Sequence, residues 1–218
     1  MGEEESPLSP MPATTLPLPV DFYARPTLIV ARELLGARLI RILDGTRLSG
    51  LITETEAYIG ETDLACHAKA GRTPRTGVMY GPPGRAYVYF TYGMHWMLNV
   101  VTQAEGFPAA VLIRAIRMET GQELVATRRP NVKNSAWTDG PAKLTRALGI
   151  NGSQNEIDLT STASGLWIEP GVVISDTIVT IGPRVGLYSV PEPWKSMPWR
   201  YLVNEIPNLE ENNGSFNR

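Results

Sequence analysis

Short runs of apolar residues dominate the chain, and clusters of Gly, Pro, Asp and Asn separate them. This pattern is typical of strands joined by turns, because β-branched and aromatic residues favour strands and those four residues favour turns. We therefore predict strands at residues 38–43, 47–58, 87–92, 94–101, 109–117, 166–169 and 178–186. Asp44-Gly45 separates the first two strands and Gly93 separates the next two, so each pair is predicted to form a hairpin.

Helical signals are fewer. Pro26 and Gly36 bracket a predicted helix at residues 27–35. Capping and periodicity also predict helices at residues 119–128 and at residues 141–148, with a single helical turn at residues 63–67. Two irregular segments are predicted from their Gly and Pro content, namely a long surface loop at 71–84 and a Pro- and Trp-rich stretch after Tyr188.

These elements predict one α+β domain, with a mainly antiparallel curved sheet, surrounding helices and a protruding β-hairpin. We place the domain at residues 21–204 of the 218. Residues 1–20 contain five prolines and three consecutive glutamates, which predicts a disordered or loosely docked tail. Residues 205–218 are the predicted C-terminal tail.

Charge and cysteine content narrow the function classes. The formal net charge is −2, but six of the 22 acidic residues and only one of the 20 basic residues lie in the two tails. Because 16 of the basic residues are arginine, which contacts phosphate through two N–H groups, the predicted domain permits a nucleic-acid partner. The single cysteine, Cys66, excludes an intramolecular disulfide and suits an intracellular compartment. No apolar stretch approaches the ~20 residues that cross a bilayer, so we expect no membrane association.

The most chemically informative run begins with two glutamates. On a strand, side chains two apart lie about 6.6 Å apart on one face, so Glu54, Glu56 and Tyr58 are predicted to share a face. Two such carboxylates suit a glycosidase acid–base pair. The alternative is the solvated edge of a surface strand, which this fragment alone favours because a pair of glutamates two residues apart is common.

Several aromatic residues follow the carboxylates closely, namely Tyr58, His67, Tyr87, Tyr89 and Tyr92. Aromatic faces stack on nucleobases with about 1–3 kcal/mol each, and a cationic alkylated purine gains a further cation–π attraction. The alternative is that the tyrosines of the hairpin pack the core. An exposed aromatic at a hairpin tip, where Tyr92 is predicted to lie, suits a wedge inserted into a duplex.

Arg114 and the histidines complete the candidate chemistry. Arg114 interrupts an apolar strand and needs an acidic partner when buried, for which Glu54 and Glu56 are candidates. His67 makes an unconvincing metal ligand, because His95 is the other histidine of the sequence and no metal-binding spacing relates the two. We expect neither a metal nor a cofactor.

Together, these motifs resemble the alkyladenine (3-methyladenine) DNA glycosylase family over residues 21–204. The blocks that carry the resemblance are Thr-Glu-Ala-Tyr-Ile-Gly at 55–60, His67, Arg-Thr-Pro-Arg at 72–75, Gly-Pro-Pro-Gly at 81–84, Tyr-Val-Tyr-Phe-Thr-Tyr-Gly-Met at 87–94, Asn99, Val-Leu-Ile-Arg-Ala at 111–115 and Gly-Pro-Ala-Lys-Leu at 140–144. Thr76 and Tyr80 depart from the asparagine and phenylalanine expected in the family, which puts loop contacts to DNA or base in doubt.

The resemblance implies a monofunctional enzyme that flips alkylated or deaminated purines from duplex DNA and hydrolyses the N-glycosidic bond, leaving an abasic site. Glu56 would be the general base, helped by Arg114. No lysine lies within residues 54–67 or 87–114, and Lys69 is only nearby, so a Schiff-base lyase step is not expected. Glu54 does not occupy the family's catalytic position.

The resemblance also implies how the lesion is held. The implied base-binding residues are Tyr58, His67, Tyr89 and Asn99, with Asn99 as a steric gate against normal guanine. Tyr92 would fill the gap in the duplex, and the candidate contacts to the DNA backbone are Arg72, Arg75 and Lys143.

The expected partner is double-stranded DNA containing damaged purines, bound by a monomer in the cytoplasm with the nucleoid if bacterial, or in the nucleus if eukaryotic. Two alternatives remain at this point. One is a non-catalytic lesion- or nucleic-acid-binding module of the same fold, which would not need Glu56 beside Arg114. The other is a carbohydrate hydrolase that uses Glu54 and Glu56, which leaves Tyr92 unexplained.

Overall fold

The structure is a computed structural model that describes residues 16–206. Its centre is an eight-stranded sheet in which every pair of neighbouring strands is antiparallel. The strands are β1 Arg38–Leu43, β2 Thr46–Ile59, β3 Ala86–Thr91, β4 His95–Val101, β5 Ala109–Thr120, β6 Leu166–Glu169, β7 Val179–Gly182 and β8 Arg200–Val203. The predicted α+β class with a mainly antiparallel sheet is confirmed.

Strand β2 organises the sheet because it pairs with three others. The main path runs β3-β4-β5-β2-β1-β6, and β8 pairs with both β2 and β7. Along the ladder between β2 and β5 the register shifts on both sides of Glu54, which is a β-bulge. Bulges bend a strand and re-aim its side chains, and they are frequent beside active sites.

Four short α-helices pack around the sheet: α1 Val20–Tyr23, α2 Thr27–Glu33, α3 Gln122–Arg128 and α4 Pro141–Leu148. Helix α2 covers one face of β2, where the Thr55 hydroxyl donates to the carbonyl of Ala31. Helix α4 packs against β4 and β5 and ends at Gly149, whose φ of 63° is left-handed. The apolar core lies between these helices and the sheet, so the opposite side of β2 is left for Glu54 and Glu56.

The hairpin of β3 and β4 protrudes as predicted. Thr91 pairs with His95, and the intervening turn places Tyr92 at φ 51° and Gly93 at φ 67°. Gly adopts this conformation without steric cost, whereas Tyr does so rarely. The Tyr92 side chain is 80% exposed, so it belongs to the hairpin tip and not to the core.

Several predicted elements have different boundaries, and three of the differences have a clear local description. The helix predicted at 119–128 begins at Gln122, because Glu119 and Thr120 extend β5 and Gly121 turns the chain at φ 77°. The turn predicted at 63–67 lies instead at His67–Ala70 as a 3-10 turn. The strand predicted at 178–186 is Val179–Gly182, since Pro183 has no N–H for a ladder.

Helix α1, strand β8 and several 3-10 turns were missed. Helix α1 and strand β8 fall in segments whose prolines predicted irregular chain, and the loop at 71–84 contains a 3-10 turn at Gly77–Tyr80. The packed chain also extends past both predicted domain boundaries, because Leu18 and Ile206 are buried and the Leu18 N–H donates to the Ile168 carbonyl. The rest of the two predicted tails, residues 1–15 and 207–218, lies outside the described residues. In the described part of the chain, no helix is long and apolar enough to cross a membrane.

Candidate active site

Glu56 is fully buried, and its carboxylate is held mainly by neutral donors. The backbone N–H of Val185 donates to Oε1 at 2.6 Å, and the Tyr58 hydroxyl donates to Oε2 at 2.8 Å. The bond between Tyr58 and Glu56 shows that they share a face, as strand alternation predicts. Glu54 is also buried, at 6% exposure. The interpretation of the two glutamates as a solvated strand edge is therefore wrong.

Arg114, from the neighbouring strand β5, links the two carboxylates. Its Nε donates to Glu54 Oε1 at 2.8 Å, and its Nη1 lies 3.3 Å from Glu56 Oε2. The expected acidic partner of Arg114 is thus both glutamates. Burial acts to lower the pKa of Arg114, but Glu56 and Glu54 reverse this effect and raise it, so the guanidinium stays cationic.

Burial raises the pKa of Glu56 above its ordinary value. Arg114, the Val185 amide and the Tyr58 hydroxyl oppose the rise, while the negative charge of Glu54 adds to it. A carboxylate with a raised pKa is a stronger base than an exposed one, provided that a nearby cation keeps it ionised. Arg114 supplies that cation.

A cavity of about 300 Å³ opens beside this pair. Residues from several separate parts of the chain line it, and many of them are aromatic or polar. They include Tyr58, His67, Met79, Tyr87, Tyr89, Tyr92, Asn99 and Arg114, together with Val185, Gly186 and Leu187. The structure therefore brings Arg114, all four predicted base-binding residues and the tip residue Tyr92 to one pocket.

Two walls of the pocket are aromatic. The rings of His67 and Tyr89 meet edge to face, with centroids 4.5 Å apart, and His67 Nδ1 lies 2.9 Å from the Tyr87 hydroxyl. Tyr58 bounds the same cavity from β2 and, between residues 16 and 206, forms no ring pair with either of them. Burial, and then the charges of Arg75 and Lys69, lower the pKa of His67 to about 4. The imidazole is consequently neutral at physiological pH.

Asn99 is held rigidly in the pocket wall. It is 3% exposed, and its Nδ2 donates to the Tyr87 carbonyl across the β3–β4 pair at 3.0 Å. A side chain bound in this way cannot turn aside to admit a larger ligand.

The sequence matches the pattern of the family described as "Methylpurine-DNA glycosylase (MPG)" over residues 21–207. The chain belongs to this family. Relatives named as candidate 3-methyladenine DNA glycosylases extend the match. One from Myxococcus xanthus is 48% identical over 194 residues, which cover 89% of this chain and 93% of the relative. One from Methanocella arvoryzae is 44% identical over 191 residues, covering 87% and 94%. The resemblance inferred from the motifs is confirmed, and the chain is a DNA glycosylase of base-excision repair.

Tyr58 of this glycosylase rests on a buried ion pair that the sequence did not reveal. The Arg184 guanidinium lies 4.7 Å from the Tyr58 ring centroid and 4.9 Å from that of Trp199. Both Arg184 and Asp63 have fully buried side chains and form a two-fold hydrogen-bonded pair. Pro183 and Gly186 lie on either side of this segment. A proline and a glycine so close together were the signal in the sequence that the segment is a loop.

The residues implied to contact the DNA backbone are exposed, but they lie in different surroundings. Arg75 lies 5.1 Å from the Tyr89 ring centroid and donates to the Phe90 carbonyl at 3.4 Å, so it borders the pocket and the hairpin. Arg72 lies over the Tyr80 ring. Lys143 is ion-paired with Asp139 at 2.8 Å near the start of α4.

The two departures from the family pattern have structural roles here. The Thr76 hydroxyl donates to the Gly71 carbonyl and accepts from the Thr73 N–H, which closes the loop. The Tyr80 hydroxyl donates to Glu61 at 2.6 Å. No group of three or more His, Cys, Asp or Glu side chains that could hold a metal occurs among residues 16–206.

Proposed function

We propose that this glycosylase flips alkylated or deaminated purines out of duplex DNA and hydrolyses their N-glycosidic bond, leaving an abasic site. The observation that carries the proposal is Glu56, a fully buried carboxylate that contacts Tyr58, Arg114 and Val185, three residues that line the aromatic pocket. A buried carboxylate with a raised pKa beside a pocket is a candidate for catalysis.

Glu56 is proposed as the general base. It would take a proton from a water molecule as the water oxygen attacks the anomeric carbon and the base departs with the bonding electrons. Arg114 would keep Glu56 ionised, and the ionised carboxylate would stabilise the oxocarbenium-like sugar. A purine alkylated at N3 or N7 is already cationic and leaves as a neutral base, whereas a neutral lesion such as hypoxanthine needs a proton as well.

The pocket suits one purine. Its volume lies at the lower end of the range for small-ligand pockets, about 300–1,000 Å³. Tyr58, His67 and Tyr89 are proposed to clamp the flipped base, and because His67 is neutral it does not repel a cationic purine. Asn99 is proposed to exclude guanine, since its amide is held at the Tyr87 carbonyl.

Base flipping costs a few kcal/mol of stacking and pairing, and a wedge offsets part of this cost. Tyr92 is proposed to fill the vacated stack, and the 80% exposure of this pocket-lining residue supports the proposal. Arg72, Arg75 and Lys143 are proposed to contact phosphates, which orient the duplex without reading its sequence. We propose a monomer on double-stranded DNA, acting wherever the cell keeps its DNA.

Hydrolysis without a lyase step is proposed because, in the described chain, no lysine lines the pocket. Lys69 is directed elsewhere, with its Nζ donating to the Leu64 carbonyl at 2.8 Å. The carbohydrate-hydrolase alternative is disfavoured by Glu54. Both Arg114 and Arg200 donate to its Oε1, and among residues 16–206 Glu54 does not belong to the lining of the aromatic pocket.

A duplex oligonucleotide carrying one hypoxanthine or ethenoadenine tests the proposal. We expect free base to be released by the wild type, no release from an undamaged duplex, and retained lesion binding with little release by Glu56→Gln. Lesion binding without any release by the wild type would support the non-catalytic module. Full activity of Glu56→Gln would contradict the assigned base.

A further inference from the structure

Glu54 forms an ion pair with Arg200, a residue to which the resemblance assigns no role. Its Oε1 accepts from Nε of Arg114 at 2.8 Å and from Nε of Arg200 on β8. Strand β8 pairs with β2 so that Arg200 stands opposite Glu56 in the ladder. The four side chains therefore form a row of alternating charge, in the order Arg200, Glu54, Arg114, Glu56.

The geometry of guanidinium explains what the inner two members can do. The group is planar and rigid, so an anchor on one nitrogen sets the direction of the others. Glu54 holds Arg114 at Nε, and this leaves Nη1 at 3.3 Å from Glu56 Oε2. Without that anchor, the side chain of Arg114 gains rotamer freedom, and Nη1 is no longer confined near Glu56.

We propose that Glu54 and Arg200 are positioning residues, which hold Arg114 against Glu56 and set the pH range over which Glu56 works as the base. The inference rests on the proposed function. Neither residue needs to touch the substrate, because Glu54 acts through Arg114 and Arg200 acts through Glu54.

Because Glu54 is acidic and Arg200 is basic, removing one or the other should shift the pKa of Glu56 in opposite directions. Facing Glu56 are Tyr58 and Glu54 from β2, Arg114 from β5, Arg200 from β8, Tyr89 from β3 and the Val185 amide. After burial and the opposing donors, the negative charge of Glu54 raises the pKa of Glu56. Removing that charge should therefore lower the pKa. Arg200 is the ladder partner of Glu56 across the β2–β8 pair, so we expect the loss of its positive charge to have the opposite effect.

The test measures single-turnover base release from a duplex containing one hypoxanthine, from about pH 5 to about pH 9. The rising acid limb reports the ionisation of Glu56. Glu54→Gln keeps an acceptor for both arginines while it removes the charge, so we expect the midpoint to fall by about one pH unit with the plateau rate kept within a few-fold. Arg200→Met should move the midpoint upward by a similar amount.

Glu54→Ala separates anchoring from charge. It removes the acceptor as well, so the plateau rate should fall by about 100-fold, and Glu54→Gln should rescue that loss. The dissociation constant for a duplex with an abasic-site analogue should stay within a few-fold of the wild-type value in all three variants. A merely structural role would move the melting temperature without moving the pH midpoint.

The chain offers a matched control in Glu169. It is buried and bridges Arg38 and Arg47 on the same sheet, away from the pocket. Glu169→Gln should leave the midpoint unchanged.

Equal behaviour of Glu54→Gln and Glu54→Ala, or midpoints that do not move in opposite directions, would overturn the inference while wild-type activity stands. Absence of base release by the wild type would overturn the proposed function and this inference together. If Glu54→Ala does not fold, the opposite midpoint shifts of Glu54→Gln and Arg200→Met decide.

Discussion

Two clusters of arginine and glutamate lie on the same sheet and use the same residue types for different ends. The pocket cluster consists of Glu54, Glu56, Arg114 and Arg200. The β1 cluster consists of Arg38, Arg47, Glu119 and Glu169. Each contains two negative and two positive side chains linked by ion pairs.

The clusters differ in how the buried carboxylate is compensated. In the β1 cluster, Glu169 faces two guanidinium groups, and that of Arg47 is 44% exposed and reaches solvent. In the pocket cluster, the nearest donors of Glu56 are the neutral Val185 amide and Tyr58 hydroxyl, and the guanidinium of Arg114 is farther away, at 3.3 Å. Incomplete compensation beside a cavity makes a carboxylate a base, and fuller compensation makes it a structural link.

The largest expected effect is on the rate of base release, which should depend on the pocket cluster and not on the β1 cluster. Glu56→Gln should lower base release by about 1,000-fold, because it removes the carboxylate that we propose to activate water. The same change should leave the melting temperature at neutral pH equal or higher, since burial disfavours the ionised form that it removes. Single-turnover rates and thermal unfolding measure the two quantities.

Glu169→Gln is the opposite case. It should keep the rate and cost about 1–3 kcal/mol of stability, because two arginines lose their buried charge partner. The comparison fails if both glutamine variants lose stability alike and neither loses activity.

A second change asks whether closeness to the pocket alone makes an ion pair catalytic. Arg184 and Asp63 lie directly behind Tyr58, but each fully compensates the other. Arg184→Met should therefore behave like a change in the β1 cluster and cost about 3–5 kcal/mol, because Asp63 is left as an uncompensated buried charge. Urea unfolding measures the loss.

Removing both charges distinguishes the effect of the uncompensated charge from the effect of lost packing. The double variant Arg184→Met with Asp63→Asn should recover part of the stability lost in Arg184→Met. No recovery would show that the lost packing against Tyr58 and Trp199, and not the charge, is decisive.

The residues that could be predicted from sequence are those linked by local rules. Strand alternation placed Glu54, Glu56 and Tyr58 on one face, and Gly93 placed Tyr92 at a hairpin tip. A buried arginine required a carboxylate, so Arg114 could be paired with the glutamates before their distance was known.

The parts that could not be predicted depend on contacts between distant segments. Val185 donates to Glu56, and Arg184 pairs with Asp63, across more than a hundred residues of chain. No periodicity or turn rule relates such positions. Strand β8 was missed for a related reason, because its four residues follow prolines that locally predict irregular structure, and their pairing with β2 outweighs that preference.

A third change extends the comparison to the hairpin tip, which carries no buried charge. Tyr92→Ala should leave stability unchanged, since the ring is 80% exposed, and should weaken lesion-duplex binding about 10- to 30-fold through the lost stacking. Fluorescence anisotropy measures the binding. Val173→Ala, at a residue that is 98% exposed outside the pocket lining, is the matched control and should bind normally. A destabilised Tyr92→Ala variant would show that the tip packs against the domain after all.

The smallest expected effect concerns His67, a pocket group that is uncharged where Glu56 is charged. Its pKa of about 4 in the folded protein lies below the value of about 6.5 in an unfolded chain, so the unfolded state takes up the proton first as pH falls. Stability should accordingly drop by about 1–2 kcal/mol between about pH 6.5 and about pH 4 through this group, and His67→Gln should remove that part of the drop. Urea unfolding of both forms across this range measures the difference, with His95→Gln, at the exposed histidine, as the control. An NMR titration that gave His67 a midpoint near 6.5 would mean that water reaches the ring freely. The pocket would then not be dry enough to raise the pKa of Glu56 by burial, and the contrast with the β1 cluster would lose its physical basis.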